Sequence, residues 1–343
     1  LMEEIVRLYG YEKVPTTRLA DELPPQRSNL MLEREQTAQD ILASLGLQEV
    51  ITYRLTTPES ANRLYPSKSE FKQPKYVELL NPVTPERRVM RHSLLANVLE
   101  TMEKNWRLRE RLAFFEVGPV YIPKENQNLP DEPVWLAIAM TGKRYLEAWD
   151  QKDAPWLDFF DLKGIIEAFL ARLHLKEYAI KPAEHCSFTP GKCARLWMNE
   201  KEIGVMGEIH PLVKEQFDLP ASPLLAARFD LHLLLSFVPE RYEVSPLPTF
   251  PPVLEDLAVV VDEAVPCEKV MEVIRESGGK LLSQVNLFDV YRGDQIGAGR
   301  KSLAFNLAYQ AAERTLNTAE VAKIRDRIIQ SLSRELNAQV RSS

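Results

Sequence analysis

Leu257-Ala258-Val259-Val260-Val261-Asp262-Glu263 decides the fold of the last third of the chain. A β-branched apolar run stopped by two carboxylates reads as a strand. After it, Cys267 to Ser277 carries Val270, Val273 and Ile274 at helical spacing, and Gly278-Gly279 ends that helix. Leu281 to Tyr291 predicts a second strand, Gly293 to Gly299 a glycine-rich turn, and Lys301 to Tyr309 a third strand folding back on the second as a hairpin. Asn317-Thr318 offers an N-cap, and the helix that follows places Val321, Ile324, Ile328 and Leu332 on one face. Ala338 to Arg341 is long enough for a short closing strand. The order βαββαβ predicts a ferredoxin-like split motif: a four-stranded sheet, two helices on one face, and the other face free for a partner.

Upstream, Arg241 to Pro252 is rich in prolines, with Pro239 just before it, and predicts a linker. Before it, the spacing predicts a helix over Asn29 to Leu45, a strand over Glu49 to Tyr53, and a short helix opened by Thr57-Pro58 and running through Leu64. A strand over Tyr76 to Leu80 and a long helix ending at Arg109 come next. Strands over Leu112 to Tyr121, Trp135 to Met140 and Leu224 to Phe229 flank an amphipathic helix over Asp158 to Leu173. At the start of the chain, Ile5, Leu8 and Tyr9 recur at helical spacing before Gly10, and Pro15 to Pro25 reads as a polar linker.

The 343 residues, 45% apolar and 27% charged, suit two or three globular domains. No apolar run approaches the roughly twenty residues of a membrane helix, and the expectation is a cytoplasmic protein with no membrane contact. Cys186, Cys193 and Cys267 form no Cys-x-x-Cys pair and read as free thiols. Net charge is −6, and residues 246–343 hold 12 Lys and Arg against 13 Asp and Glu. Nucleic-acid binding by this module therefore needs local charge placement and stacking, since no bulk positive field exists.

No catalytic residue is predicted. Gly297-Ala298-Gly299-Arg300 sits in the predicted hairpin and reads as a tight turn, not a nucleotide loop. His92 and His210 lie near no nucleophile signature, and His210 before Pro211 reads as a helix cap. His185 beside Cys186 is a weak metal set.

Several motifs carry a family resemblance. Phe250-Pro251-Pro252, Asp256-Leu257-Ala258, Leu287-Phe288-Asp289-Val290-Tyr291, Lys301-Ser302-Leu303-Ala304-Phe305 and Glu313-Arg314-Thr315-Leu316 resemble the ferredoxin-fold anticodon-binding domain that closes the β subunit of bacterial phenylalanyl-tRNA synthetases. Gly46-Leu47-Gln48-Glu49-Val50, Leu80-Asn81-Pro82, Arg91-His92-Ser93-Leu94-Leu95, Phe114-Phe115-Glu116-Val117-Gly118 and Ile203-Gly204-Val205-Met206-Gly207-Glu208-Ile209-His210-Pro211 are similar to the catalytic-like core of that subunit. Glu255, Thr189 and Lys192 depart from the family pattern.

The resemblance implies an α+β protein: a class II synthetase-like antiparallel sheet with flanking helices, then the ferredoxin-like domain. It divides the chain into the tail of a truncated upstream domain with its linker (1–24), a catalytically inactive core (25–240), and the anticodon-binding domain with its linker (241–343). It implies one subunit of an α2β2 phenylalanine-tRNA ligase whose α subunit uses ATP and performs the chemistry, with editing upstream of this segment. The core would scaffold α, with Arg87, Arg88 and Arg91 at the interface. Asp289 and Tyr291 are expected to meet anticodon bases of tRNA(Phe), and Arg292, Arg300 and Lys301 its phosphates. Glu3 and Glu4 are expected to help hold Mg2+. The alternative is an interaction scaffold whose ferredoxin-like module binds a small effector or protein instead of RNA.

Overall fold

The computed structural model describes residues 1–17, 20, 27–67, 74–125, 127, 129–242, 244 and 246–340. Most of the linker read over Pro15 to Pro25, and Arg341 of the closing strand, lie outside the described residues. The chain forms two compact units, Leu1–Tyr242 and Glu243–Ser343.

In chain order the first unit runs α1 (Met2–Tyr9), α2 (Leu30–Ser44), β1 (Gln48–Glu49), β2 (Leu55–Thr56), α3 (Pro58–Asn62), β3 (Val89–Met90), α4 (Leu95–Asn105) and β4 (Leu112–Pro119). It continues through β5 (Val134–Thr141), α5 (Phe159–Arg172), β6 (Ala179–Pro182), β7 (Phe188–Met198), β8 (Lys201–Ile209), α6 (Pro211–Gln216), β9 (Leu224–Asp230) and α7 (Leu231–Ser236). A seven-stranded sheet has the order β1-β4-β5-β9-β8-β7-β6, antiparallel throughout except where β1 runs parallel to β4.

The central strands are apolar on both faces because both faces are covered. Leu136, Ile138 and Met140 of β5 meet Leu42 of α2, Phe169 of α5 and Leu234 of α7. Ala137 and Ala139 meet Leu99 of α4 and Val213 of α6. The helix starts follow from their caps: Asn29 Oδ1 accepts from Leu32 N at 3.3 Å, Thr57 Oγ1 from Ser60 N at 3.2 Å, and Asp158 with Asp161 closes a capping box.

Three expectations were too long. The strand over Glu49 to Tyr53 leaves the ladder after Glu49, because Glu116 takes the Thr52 N–H at 3.2 Å and its hydroxyl at 2.8 Å. Tyr76 to Leu80 makes only the bridge Glu78↔Val89; Pro74 and Pro82 flank it and cannot donate to a ladder. The helix predicted to Arg109 stops at Asn105, where Trp106 Nε1 donates to the Asp218 carbonyl at 2.8 Å.

The second unit contains β10 (Val253–Asp262), α8 (Cys267–Gly278), β11 (Leu282–Tyr291), β12 (Arg300–Tyr309), α9 (Thr318–Leu336) and β13 (Gln339–Val340). Its sheet order is β11-β12-β10-β13, antiparallel at every pairing. Odd-numbered Leu257, Val259, Leu303, Phe305, Leu307 and Tyr309 pack with Val270 and Ile274 of α8 and with Val321, Ile328 and Leu332 of α9. Gly279, at φ 65°, ends α8 in a conformation that disfavours a Cβ.

A capping box starts α9. Asn317 Oδ1 accepts from Glu320 N at 2.9 Å, Glu320 Oε2 accepts from Asn317 N at 3.2 Å, and Arg314 donates to both Glu320 oxygens at 2.7 and 2.6 Å. Arg314, then the Asn317 backbone, brings the Glu320 pKa from its ordinary 4.5 to about 2. A depressed carboxylate pKa contributes stability above the unfolded value and loses it as the pH falls. Glu320→Gln is therefore expected to flatten the decline of the module's stability between pH 4.5 and about 2, read from urea midpoints; an unchanged decline would mean that the pair contributes nothing.

Candidate nucleic-acid interface

Helices cover one face of the second unit's sheet, and side-chain alternation sends the other residues to the opposite face. From β10 these are Leu254, Asp256, Ala258, Val260 and Asp262, paired in register with Ala308, Asn306, Ala304, Ser302 and Arg300 of β12. The centre of this open face is thus a floor of small side chains, Ala258, Ala304 and Ser302. Asn306 Nδ2 donates to Asp256 Oδ1 across it at 3.0 Å. A flat floor of small side chains leaves room for a planar base to lie against the sheet.

The edge strand β11 has irregularities between Leu282 and Gln284 and between Leu287 and Asp289. Val285 and Leu287 pair with Leu307 and Phe305, on the helix side. Strict alternation would put Asp289 and Tyr291 there too. The extra residue Phe288 reverses the phase, so Asp289 pairs with Ala304 and Tyr291 with Ser302, on the open side. Tyr291 remains 37% exposed, and a Cβ built on Gly293 would collide with its ring and hydroxyl. The glycine makes room for the ring at that corner.

The three predicted phosphate contacts separate. Arg300 lies on the open side, with Nη1 donating to Gln339 Oε1 at 3.1 Å and Nε 3.7 Å from Asp262. Arg292 forks onto exposed Glu263 at 2.8 and 3.1 Å, and that bond holds the Glu263 carboxyl below its usual range. Lys301 corrects the expectation: it is buried, on the odd-numbered helix side of β12, and its Nζ donates to the Glu263 carbonyl at 2.8 Å. Asn306, Asp256, Gln284 and Asn286 were missed as open-face polar groups; the small-large alternation of Ser302-Leu303-Ala304-Phe305-Asn306-Leu307 was the signal for the first.

In the first unit, the arginines read as an interface also divide. The Arg87 guanidinium lies 3.4 Å from the centre of the Tyr53 ring, and Arg88 pairs with Glu59 at 2.7 Å. Leu79 N donates to the Arg88 carbonyl at 3.0 Å, which puts Leu80 beside them. Ile51, Leu80 and Val83 are 90, 98 and 97% exposed, apolar side chains left open on the surface. Arg91 is not part of it. Only 2% exposed, it bonds Glu116 Oε1 at 2.6 Å and the Pro119 carbonyl at 2.9 Å, so its role is internal.

The remaining residues singled out in the sequence take structural places. His210 Nδ1 accepts from Leu212 N at 3.2 Å, as a cap does, and burial lowers the His92 pKa. Gly297 and Gly299, at φ 85° and 75°, shape the hairpin turn. Glu3 and Glu4 lie on α1, which buries no residue, and Glu4 pairs with Arg7 at 2.8 Å. Two such carboxylates fall short of the six-oxygen shell that Mg2+ prefers, and no cluster of three or more metal-ligating side chains occurs among the described residues. No helix among the described residues is long and apolar enough to cross a membrane.

Comparison with known proteins agrees with both halves. The profile of the phenylalanyl tRNA synthetase beta chain CLM domain matches residues 14–231, and that of the ferredoxin-fold anticodon binding domain matches residues 248–341. The phenylalanine–tRNA ligase beta subunit of Symbiobacterium thermophilum is 36% identical over 348 aligned positions, covering 100% of this chain and 38% of its own. Those of Clostridium tetani and Geobacillus kaustophilus are 34% and 35% identical, covering 99% of this chain and 41% and 42% of theirs. The chain spans about two fifths of the length of these curated relatives. A solved pyrrolysyl-tRNA synthetase of Desulfitobacterium hafniense aligns with 60% of the chain and 66% of its own at a TM-score of 0.45 and 17% identity. With its core and its C-terminal module matched in this order, the chain belongs to the family of the phenylalanyl-tRNA synthetase beta chain.

Proposed function

We propose that this chain is the scaffolding and tRNA-gripping portion of a phenylalanine-tRNA ligase β subunit, working in the cytoplasm within an α2β2 assembly. The open face of the second unit carries the reading: a floor of Ala258, Ala304 and Ser302 with Tyr291 and Asp289 brought to its edge by the bulge at Phe288. Tyr291 stacks on an anticodon base of tRNA(Phe), Asp289 accepts from a base edge, and Arg300 reaches a phosphate, with Arg292 beside it. The domain division follows the same reading: residues 1–24 end an upstream domain, 25–240 form a core without catalytic groups, and 241–343 bind the anticodon. The apolar surface of Ile51, Leu80 and Val83, with Arg87 and Arg88, receives the α subunit, which performs the ATP-dependent chemistry. Glu3 and Glu4 contribute two carboxylates to a Mg2+ site whose other oxygens come from elsewhere.

Base–aromatic stacking is worth about 1–3 kcal/mol. Tyr291→Ala is therefore expected to weaken binding of tRNA(Phe) by about five- to 150-fold at moderate salt, measured by fluorescence titration. Arg300→Ala should reduce the log-log salt slope by about one unit. Binding that is indifferent to salt and to both substitutions would favour the effector or protein scaffold over RNA.

A further inference from the structure

Between β5 and α5 the chain makes a separate hairpin. Lys143 bridges Trp156 and Ala148 bridges Gln151 in one continuous register. Ala148 and Gln151 exchange both backbone bonds at 3.1 Å, which leaves Trp149 and Asp150 as a two-residue turn. Trp149, at that tip, is 91% exposed, and Tyr145 and Leu146 behind it are 50 and 65% exposed. Large aromatic side chains dominate interface energetics, and Trp is among the residue types most enriched in interface anchors. The foot of the hairpin is fixed: Arg144 forks onto Asp161 at 2.8 and 2.9 Å and reaches Asp158 at 3.1 Å. Trp149 is thus presented to solvent from an anchored base.

The residues that hold this base also wall a groove. Asp158, Phe159 and Phe160 at the start of α5, with Ile180, Pro182 and Ala194, line a space of about 450 Å³, a volume that takes a body larger than an indole. It opens where the β6–β7 ladder ends at Pro182↔Ala194, and Phe160 in its wall is 73% exposed. Lys163 and Lys192 line it too, and each gives one bond to a nearby carboxylate, Glu167 at 2.6 Å and Glu208 at 2.7 Å. An ammonium has three donors, so both lysines keep capacity for a further carboxylate. The groove's own acids are already engaged, Glu208 by Lys192 and Asp158 by Arg144 and the Phe160 N–H.

We propose that two copies of this chain associate through this surface, the Trp149 tip of each seated in the groove of the other with Asp150 against Lys163 and Lys192. The structure selects a second copy as the occupant on two grounds. Anchor and groove belong to one patch joined through Arg144, so a two-fold axis brings both into contact at once, as an isologous interface requires, and Trp149 does not line the groove of its own chain. The charges also match: exposed Asp150 has no ion pair among the described residues, and the groove offers two ammonium groups. Such flanking charges fix register and exclude wrong partners more than they add affinity, which the buried indole supplies. The surface lies wholly within the first unit and does not depend on RNA binding.

The test is sedimentation velocity of the 343-residue chain over a concentration series. A reversible dimer is expected. Trp149→Ala and Phe160→Asp should each weaken dimerisation about thirtyfold or more. Tm should stay unchanged in both, since both side chains are exposed and an aspartate suits the first turn of α5. An equimolar mixture of the two variants separates an anchor in a groove from a general apolar contact. One copy then supplies an intact groove and the other an intact tryptophan, so one of the two contacts is restored and the mixture should associate more tightly than either variant alone. A chain that stays monomeric at every concentration, a dimer that neither substitution weakens, or a mixture no stronger than its components would each overturn the proposal.

Discussion

Arg91→Ala is expected to destabilise the core by about 3–5 kcal/mol, because it strands a carboxylate in the interior. Glu116 and Arg91 are each 2% exposed, 2.6 Å apart, and bonded to little but each other, Thr52 and the Pro119 carbonyl. Water entering the void can supply hydrogen bonds but not the positive charge that balances the buried carboxylate. The pair also fixes local geometry: Thr52 leaves the β1 ladder to bond Glu116, and a Cβ on Gly118 would meet Arg91 Nη2, which would have to shift. The double substitution Arg91→Met with Glu116→Leu is expected to recover most of the loss, since it removes both charges together. Urea denaturation of the single and double variants checks this. A double variant no better than Arg91→Ala would mean that the loss comes from packing and not from the stranded charge.

Phe305→Ala is expected to cost the second unit a further about 3–5 kcal/mol, the usual range for a large aromatic removed from a packed core. Phe305 is fully buried in the cluster formed by β10, β12, α8 and α9. Its neighbours Ala304 and Asn306 face the opposite way, onto the open floor. The substitution therefore removes the support behind the proposed RNA surface without touching any residue of that surface. Hydrogen exchange of the β12 amides reads the effect: protection should fall in Arg300–Tyr309, and RNA affinity should fall with it. Loss of affinity with β12 protection intact would contradict the structural explanation.

The ferredoxin-like unit was legible because its sequence is consistent at several levels. Val270, Val273 and Ile274, and then Val321, Ile324, Ile328 and Leu332, keep helical spacing and are all buried. Asn317 caps where its type predicts, and Gly279 at the end of α8 and Gly297 and Gly299 in the hairpin take the positive φ that those turns need. The core was legible in its longer strands and capped helices, and less so where tertiary contacts override local preference, as when Glu116 draws Thr52 out of a ladder. Arg91 could not be placed from sequence: three arginines around one helix start look like a solvated patch, and the partner that buries one of them lies 25 residues away. Lys301 could have been placed, since it shares the parity of Leu303 and Phe305. Asp289 and Tyr291 reach the open side only through the bulge at Phe288, which alternation alone does not reveal.

The most direct test of the central claim is hydrogen–deuterium exchange of the chain with and without the anticodon stem-loop of tRNA(Phe). Stem-loop binding to the open face predicts slowed exchange in β11 and the hairpin from Gln284 to Gly293 and along β12 from Arg300 to Ala308, lost on Tyr291→Ala. Protection confined to the first unit, with none on β11 or β12, would contradict it.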